Sequence, residues 1–327
     1  MQSYWMLMTD TAAELEVRDL PEPRPGPGQL LLCMHAAALN RGEFVPGHGL
    51  HGKAGTWKAI GGEGAGEVTA VGDGVAGFGR GDRVMGRCAG AFAEYALMEA
   101  TEAIAIPATM SWEQAAGIPL TFLVAHDMLV LQGRLVAGEW LLINGVSSGV
   151  GVASLQLGKA LGAKVIGTSG SADKLERLAP LGLDVGLCTR GADFAPQVLE
   201  VTGRGADLVV NTVGGLVFAE EIRALAFEGR LAMVGYVDGA LHADLDLGAL
   251  HTKRLTLFGV SNKMRSKEQR AAGVRRFVAE VMPHIAAGRI TPQIDQVFDF
   301  PRLKEAKARM EAGSHVGKIV LRMPVAA

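Results

Sequence analysis

The sequence predicts an α/β protein in which a doubly wound, parallel six-stranded sheet is inserted into a discontinuous, mainly β barrel domain. Three observations favour this fold. A strand–turn–helix–strand unit occupies residues 139–170, strands and helices alternate up to residue 262, and short strands between glycine- and proline-rich turns fill the first 120 residues. We expect residues 1–123 and 263–327 to form one domain and residues 124–262 the other, with the cleft between them as the active site.

Residues 139–170 read EWLLINGVSSGVGVASLQLGKALGAKVIGTSG, which is the pattern of a βαβ unit. Apolar runs at 140–143 and 164–167 are typical of parallel strands that are covered on both faces. Between them, apolar residues recur at helical spacing from 150 to 161. The small residues of the turn 145–151 let a ligand approach the positive end of this helix. A pyrophosphate is the expected ligand.

The turn matches the glycine-rich dinucleotide fingerprint incompletely. Counting back from Gly151, Ser148 stands where the middle glycine would be, and Val146 where the first would be. A tight strand-to-helix turn in a protein that binds no nucleotide therefore remains an alternative. The residues expected to contact the phosphates are Ser147, Ser148, Gly149, Val150 and Gly151.

The remaining elements are short apolar runs or helical patterns between turn clusters. The strands of the inserted sheet span residues 141–144, 165–168, 185–188, 208–212, 231–234 and 255–260. The other strands span residues 14–18, 29–38, 66–71, 83–87, 93–97 and 318–323, with a further strand from residue 290. Helices are expected over residues 110–117, 118–132, 267–287 and 303–312.

Composition excludes several classes of protein. The chain has 327 residues, enough for two domains with sizeable cores, and 32 Lys and Arg against 34 Asp and Glu give it a net charge of -2. That balance gives no general attraction to nucleic acid or to an anionic membrane. The three cysteines are widely spaced, which favours a reducing compartment. The first residues do not show the apolar segment that is typical of a leader peptide. We expect a soluble, cytoplasmic protein.

Eight segments, in this order along nearly the whole chain, resemble the medium-chain dehydrogenase/reductase superfamily, on its zinc-free quinone oxidoreductase or zeta-crystallin-like branch. The segments are AAALNRGEF, GGEGAGEVTAVGDGVAGFGRGDRVMG, LTFLVAHDML, GVSSGVG, NTVGG, GRLAMVGY, KRLTLFG and HVGKIVL. The resemblance implies a Rossmann dinucleotide-binding domain, a GroES-like substrate domain, a small-molecule substrate and a homodimer. An exposed edge strand at 255–260 favours the same dimer, because pairing of two copies closes it.

The resemblance also predicts that no metal is bound. Zinc-dependent members carry a cysteine in the segment matching 37–40, a His-Glu pair where this chain has Gly62 and Glu63, and a cysteine or acid at 120–121. None of these ligand sets is complete here, and the four-cysteine structural zinc loop is absent from the sequence. Cys33 and His35 could share a strand face and bind a metal, but no further ligand lies near them in sequence, so we interpret them as ordinary strand residues.

The end of the second strand of the inserted sheet indicates which cofactor is bound. An NAD site would place an acid there to hold the ribose hydroxyls, whereas this chain has Ser169 and Ser171 with Lys174 close behind. Hydroxyls and a cation suit a 2'-phosphate, so the sequence predicts NADPH. A solvated helix lysine is the alternative for Lys174. NADPH-binding relatives usually carry a tyrosine at the position of Thr189, and the adjacent Arg190 could supply charge instead.

The resemblance places Asn40 and Thr121 near the nicotinamide and its ribose, as catalytic and cofactor-binding residues. Further cofactor contacts are expected mostly where the later strands end, which is where open α/β sheets bind ligands. These residues are Val213, Gly214, Gly235, Tyr236, Phe258, Val260 and Lys318. Roles in the sheet core and in glycine turns are the alternative for some of them.

Without zinc, the hydride acceptor must already be electrophilic, as a quinone or an α,β-unsaturated carbonyl compound is. His51 stands in a loop where many relatives have a tyrosine close to the substrate, and an imidazole could donate a proton to the developing oxygen. A solvent-exposed loop histidine is the alternative. Two other functions remain open: a 2-enoyl thioester reductase, and a crystallin-like protein that binds NADPH without catalysis.

Overall fold

The computed structural model describes residues 1–9, 13–44 and 55–324. The described residues form sixteen strands: β1 Gln2–Met8, β2 Ala13–Asp19, β3 Gln29–Ala38, β4 Trp57–Ala59, β5 Glu63–Val71, β6 Arg83–Arg87, β7 Tyr95–Glu99, β8 Ile104–Ala105, β9 Trp140–Asn144, β10 Lys164–Ser169, β11 Val185–Cys188, β12 Ala206–Asn211, β13 Leu225–Met233, β14 Thr256–Gly259, β15 Ile294–Asp299 and β16 Lys318–Arg322.

The same residues form ten α-helices, of which the second continues as a π-helix over Asp127–Gln132. The helices are α1 Trp112–Ala116, α2 Pro119–His126, α3 Gly149–Ala160, α4 Ala172–Leu178, α5 Ala195–Thr202, α6 Gly215–Ala224, α7 Leu247–Thr252, α8 Lys267–Glu280, α9 Met282–Ala286 and α10 Leu303–Glu311.

The chain divides into two compact units. The first comprises Met1–Leu120, Lys263–Ala279 and Pro292–Ala327, and the second comprises Thr121–Asn262 and Glu280–Thr291. Residues 121–123 lie in the second unit instead of the first, and so does Glu280–Thr291, which the sequence-based division also assigned to the first unit. Contacts at the two ends of Glu280–Thr291 explain its assignment. Glu280 Oε2 lies 2.7 Å from His126 Nε2, and the Thr291 N–H donates to Gln156 Oε1 at 2.7 Å.

The second unit is built on one parallel six-stranded sheet, in the order β11-β10-β9-β12-β13-β14, so the predicted doubly wound sheet is confirmed. Its middle strands are apolar because they are covered on both faces; Leu141, Leu142 and Ile143 of β9 are fully buried. From β9 the chain proceeds to β10 on one side, and later reaches β12 on the other. This reversal makes the carboxyl end of β9 the switch point at which such sheets bind ligands.

The first unit contains a seven-stranded sheet in the order β15-β16-β3-β5-β6-β8, with β7 also paired to β3. A second sheet has the order β2-β1-β4. One hydrophobic core underlies both sheets and includes Met6 of β1, Leu32 of β3 and Leu321 of β16. The mainly β character predicted for this part of the chain is confirmed.

Several predicted elements were wrong in extent or were missed. The helix predicted over residues 267–287 is two helices, α8 and α9, and Pro283 lies in the first turn of the second, where its missing N–H costs nothing. Strand β13 begins at Leu225 rather than residue 231. The sequence analysis placed no strand at β1, whose methionines and aromatic residues do not by themselves distinguish a strand from a helix, and no helix at α7.

In the described part of the chain, no helix combines the length and the apolar character needed to cross a bilayer. The cytoplasmic location stays a prediction. The three cysteines are free thiols, with Cys33 half-buried, Cys88 buried and Cys188 exposed.

Candidate functional site

The turn after β9 is held in a compact shape by glycine and serine. Gly145 has φ +77, a left-handed conformation that favours glycine. Ser148 caps α3 by accepting a hydrogen bond from the N–H of Gly151 at 3.0 Å. A Cβ on Gly151 would lie only 2.4 Å from the carbonyl oxygen of Gly145. The backbone therefore closes tightly beneath the helix start, where amide groups and the helix dipole favour an anion.

The end of β10 presents hydroxyl groups beside an arginine. Ser169 is the last residue of β10, and its Oγ accepts a hydrogen bond from the Ser171 N–H at 3.3 Å. A Cβ on Gly170 would lie 2.6 Å from the side chain of Arg190, so this guanidinium arm lies directly over the strand end. Thr189 instead donates its hydroxyl proton to Asp193 at 2.6 Å. Arg190 is thus a cation that the fold brings to this segment.

Lys174 lies in the first turn of α4 and is half-buried. The residue at the N-cap of that helix is Ser171, and the segment from the end of β10 to the cap contains no acidic side chain. The ribose-binding acid of an NAD site is therefore absent from its usual position. The assignment of Lys174 to a 2'-phosphate stays a prediction.

The cofactor residues predicted after the later strands share one edge of the sheet. Val213 and Gly214 follow β12, and their N–H groups donate to Asn211 Oδ1 at 2.9 and 2.8 Å. The remaining ones lie at or beyond the ends of β13 and β14: Gly235, Tyr236, Phe258 and Val260. The fold therefore brings these positions to the sheet edge that also carries the turn after β9, and their contacts with a cofactor stay predictions.

A buried polar network, which the sequence analysis missed, connects three strand ends at that edge. Glu221 is fully buried and accepts hydrogen bonds from Asn144 Nδ2 at 2.6 Å and Asn211 Nδ2 at 2.7 Å. Thr168 donates its hydroxyl proton to Asn144 Oδ1 at 2.8 Å. Burial raises the pKa of Glu221 to about 8, against the two amide donors, which lower it. The network fixes the strand ends from which the ligand-binding turns begin.

In the first unit, Asn40 lies in a cluster of buried charged groups. Its Nδ2 donates to Glu63 Oε1 at 2.9 Å, and its Oδ1 accepts from Lys318 Nζ at 2.7 Å. Lys318 also donates to Glu63 Oε1 at 2.8 Å and to the Leu39 carbonyl oxygen at 2.9 Å. Three acceptors thus match the three protons of the ammonium group. The structure therefore places Lys318 in an internal ion pair, and its predicted contact with the cofactor stays a prediction.

Glu43 completes this cluster. Its Oε1 accepts hydrogen bonds from the Gly62 N–H at 2.9 Å and from Asn40 Nδ2 at 3.3 Å, while its buried Oε2 has no hydrogen-bond partner in the described part of the chain. Burial, and then the nearby Glu63 carboxylate, raise the pKa of Glu43 to about 7. Because both donors approach Oε1, the proton of the neutral acid resides on Oε2.

Two predicted catalytic residues are not part of this cluster. Thr121 is buried in α2 and belongs to the second unit. His51 lies outside the described residues. Among the described residues, no three His, Cys, Asp or Glu side chains are grouped so that they could hold a metal ion. His35 stacks on Trp112 with ring centroids 4.1 Å apart, which is the ordinary structural role expected for it.

The sequence contained a signal for the missed residues. Asn144 and Asn211 each end a buried apolar strand, in the runs LLIN and VVN, and they face each other in register across neighbouring strands. Glu63 lies in the otherwise apolar and glycine-rich segment GGEGAG, whereas Glu43 follows Asn40 and Arg41, so its segment is not distinctive. A polar residue repeated at the ends of buried strands, or an acid isolated in such a segment, indicates a buried network rather than a surface.

Two families match separate parts of the chain. Residues 26–108 match the family described as the alcohol dehydrogenase GroES-like domain, and residues 149–279 match the family described as zinc-binding dehydrogenase. Among curated proteins, the chain is similar to a subunit of the phenolphthiocerol/phthiocerol polyketide synthase of Mycobacterium tuberculosis, with 32% identity over 312 residues. That alignment covers 95% of this chain but only 14% of the length of the relative.

Three solved structures share the fold over almost their whole length. A mycobacterial protein complexed with NADPH has a TM-score of 0.88 and 28% identity, covering 98% of this chain and 100% of that one. CurK enoyl reductase has a TM-score of 0.86 and 25% identity, with 99% and 100% covered. A quinone oxidoreductase of Pseudomonas syringae has a TM-score of 0.85 and 27% identity, with 98% and 100% covered.

Proposed function

The chain belongs to the medium-chain dehydrogenase/reductase superfamily, on its zinc-free quinone oxidoreductase-like branch, and we propose that it is an NADPH-dependent reductase of quinones or α,β-unsaturated carbonyl compounds. The observation that carries the proposal is the edge of the second unit's sheet. There, a tightly closed helix-start turn lies next to a strand end that offers hydroxyls and Arg190 in place of an acid.

The residues of this edge fit NADPH. Residues 147–151 would hold the pyrophosphate through backbone amides and the Ser148 cap. Ser169, Ser171 and Arg190 would hold the 2'-phosphate, because a guanidinium and hydroxyl groups satisfy phosphate oxygens that a carboxylate would repel. The solved mycobacterial relative that is complexed with NADPH supports the same choice of cofactor.

When bound, NADPH supplies a hydride, and the chain's own groups must position the acceptor and provide a proton. Asn40, whose amide is fixed by contacts on both sides, is proposed from the family resemblance as a contact for the nicotinamide end. Thr121 and His51 are proposed from the family resemblance, the histidine as the donor of the proton to the developing enolate or hydroquinone oxygen. An acceptor that is already electrophilic needs no metal to polarise it.

A 2-enoyl thioester reductase is the second candidate. The fold of CurK enoyl reductase covers 99% of this chain, and the polyketide synthase relative aligns with 95% of it. Both candidates use the same cofactor and the same transfer of hydride to an activated double bond. They differ in whether the acceptor carries a thioester and its long carrier arm.

We also propose that the protein is a homodimer formed through β14. This strand is the edge of the six-stranded sheet, next to β13 on one side and with no strand beside it on the other in the described part of the chain. Unpaired backbone groups along such an edge favour pairing with a second copy about a twofold axis.

The test is NADPH oxidation, followed at its absorbance, with a 1,2-quinone, a cyclic enone and a 2-enoyl thioester, against a control without acceptor. Turnover with the quinone or the enone is expected. Turnover confined to the thioester would support the second candidate. Tight NADPH binding without turnover of any acceptor would indicate a non-catalytic NADPH-binding protein and refute both.

Two glycine variants show that the activity belongs to the proposed site. Gly151→Ala should abolish NADPH binding, because its Cβ would lie 2.4 Å from the Gly145 carbonyl oxygen and displace the turn. Gly79→Ala is the matched control, since a Cβ there has no described atom within 4 Å. Equal turnover by the two variants would remove the turn after β9 from the function.

A further inference from the structure

A cavity lies wholly within the first unit. Its volume is about 490 Å³, and its wall is formed by β1, β6, β7 and the start of α8. The charged side chains of the wall are Arg87, Glu99, Glu102 and Arg270. The side chains of Glu63 and Lys318, which form the ion pair of the Asn40 cluster, do not line this cavity. No residue of the turn after β9 lines it either. We call it the Arg87 cavity.

The wall of the Arg87 cavity has more positive charge than its carboxylates can match. Glu102 is buried and already accepts a hydrogen bond from Arg270 Nε at 2.7 Å, and its other oxygen lies 3.8 Å from Arg87 Nη1. Two guanidinium groups therefore share one carboxylate. Glu99, the other acid of the wall, forms its own ion pair with Lys267 at 2.9 Å. Since arginine stays protonated in proteins, one guanidinium charge lacks a counter-charge among the described residues of the wall.

Two buried hydrogen-bond donors of the wall are unsatisfied. Arg87 Nη1 and Trp5 Nε1 have no hydrogen-bond partner in the part of the chain that the structure describes. Over the same residues, no buried side-chain acceptor of the wall lacks a hydrogen-bond partner. Buried polar groups in folded proteins are almost always hydrogen-bonded, so two orphaned donors on one cavity wall indicate a ligand that supplies acceptors.

The rest of the wall is largely apolar. Trp5, Leu20, Pro23 and Leu97 contribute to it. A volume of this size lies in the range of pockets that take small organic molecules. We propose that the Arg87 cavity binds a small monoanion whose carboxylate contacts Arg87 and the Trp5 indole N–H, and whose apolar body lies against these side chains. This site is independent of the proposed reductase function.

Binding of 2-naphthoate to the full-length protein, measured by calorimetry in excess NADP⁺, tests the proposal. The added nucleotide fills the phosphate-binding turn, so the anion cannot bind there. Saturable binding of one naphthoate per chain is expected. The neutral 2-naphthamide, which has the same rings and no charge, should bind at least about tenfold more weakly, because it loses a charge-assisted hydrogen bond.

Variants locate the site. Arg87→Met keeps a flexible, unbranched stem but removes the guanidinium group, and it should weaken naphthoate binding at least about tenfold while leaving naphthamide binding nearly unchanged. Arg80→Met, which removes an exposed arginine of the same unit, is the matched control and should change neither. If Arg87→Met fails to fold, Trp5→Phe removes the indole donor while keeping an aromatic ring and should weaken naphthoate binding several-fold. Absence of saturable binding, or equal naphthoate affinity in the parent protein and the variant that folds, overturns the proposal.

Discussion

Glu43 should make the stability of the first unit depend on pH, and Glu43→Gln should remove that dependence. The glutamine keeps an oxygen for the two donors, Gly62 and Asn40, and places its amide nitrogen at the position of Oε2, for which the described residues offer no partner. It therefore imitates the neutral glutamic acid at every pH. The surrounding hydrogen bonds are preserved, so the substitution changes only the ability to ionise.

The sign follows from the direction of the pKa change. Folding raises the pKa of Glu43 from 4.5 to about 7, because burial and the Glu63 charge disfavour the carboxylate. Below pH 4.5 the folded and the unfolded protein both hold the proton, so Glu43 does not change the free energy of unfolding. As the pH rises, the unfolded chain loses its proton first, and proton linkage makes the folded protein about 2.5 kcal/mol less stable at pH 8 than at pH 5. Above the folded pKa the loss stays constant.

The assay is denaturant unfolding of both proteins across that pH range, followed by tryptophan fluorescence. Three of the four tryptophans lie in the first unit, so a Trp140→Phe background reports that unit alone. Between pH 5 and pH 8, the unfolding free energy of the parent should fall by about 2.5 kcal/mol relative to that of Glu43→Gln. Glu14→Gln, at an exposed position of β2, is the control. Parallel curves for the parent and Glu43→Gln would refute the reasoning.

Three further predictions concern the cofactor, the assembly and the proton donor. Lys174→Ala should reduce the preference for NADPH over NADH by about 1–3 kcal/mol, the range for a charge-assisted hydrogen bond, and equal affinities in the parent protein would contradict the 2'-phosphate assignment. Sedimentation at micromolar concentration should give a dimer that pairs through Thr256–Gly259, and a monomer would remove that interface. His51→Phe should lower enone turnover about a hundredfold with little change in NADPH affinity, and the parent rate should fall as the pH rises through about 6.5, whereas an unchanged pH profile would show that the proton comes from elsewhere.

The sheet of the second unit could be predicted because its signal is local. Its central strands are apolar runs that are buried on both faces and followed by a turn, so their positions follow from the pattern alone. β1 was missed for the opposite reason. Its methionines and aromatic residues fit a strand or a helix equally well, and only pairing with β2 and β4, which lie later in the chain, decides between them.

The buried charged groups could not be predicted, because their partners are distant in sequence. Lys318 and Glu63 are 255 residues apart and form an ion pair only when β16 and β5 join the same sheet. Sequence reasoning therefore treated Lys318 as a cofactor contact. Glu221 was overlooked in the same way, since its two asparagine partners end strands that precede it by 77 and 10 residues.

In this chain, the Asn40 cluster occupies the place where the family resemblance puts a zinc ligand. A Cβ on Gly62 would lie 2.8 Å from Glu43 Oε1, so the place of the histidine ligand in zinc-dependent relatives is taken by a carboxyl group that Gly62 itself holds through its N–H. The positive charge beside Glu63 comes instead from Lys318, with all three of its protons directed to internal acceptors. A cation fixed in this way can keep Asn40 rigid but has no open position for a substrate oxygen. This arrangement agrees with the proposed function, because quinones and α,β-unsaturated carbonyl compounds are already electrophilic.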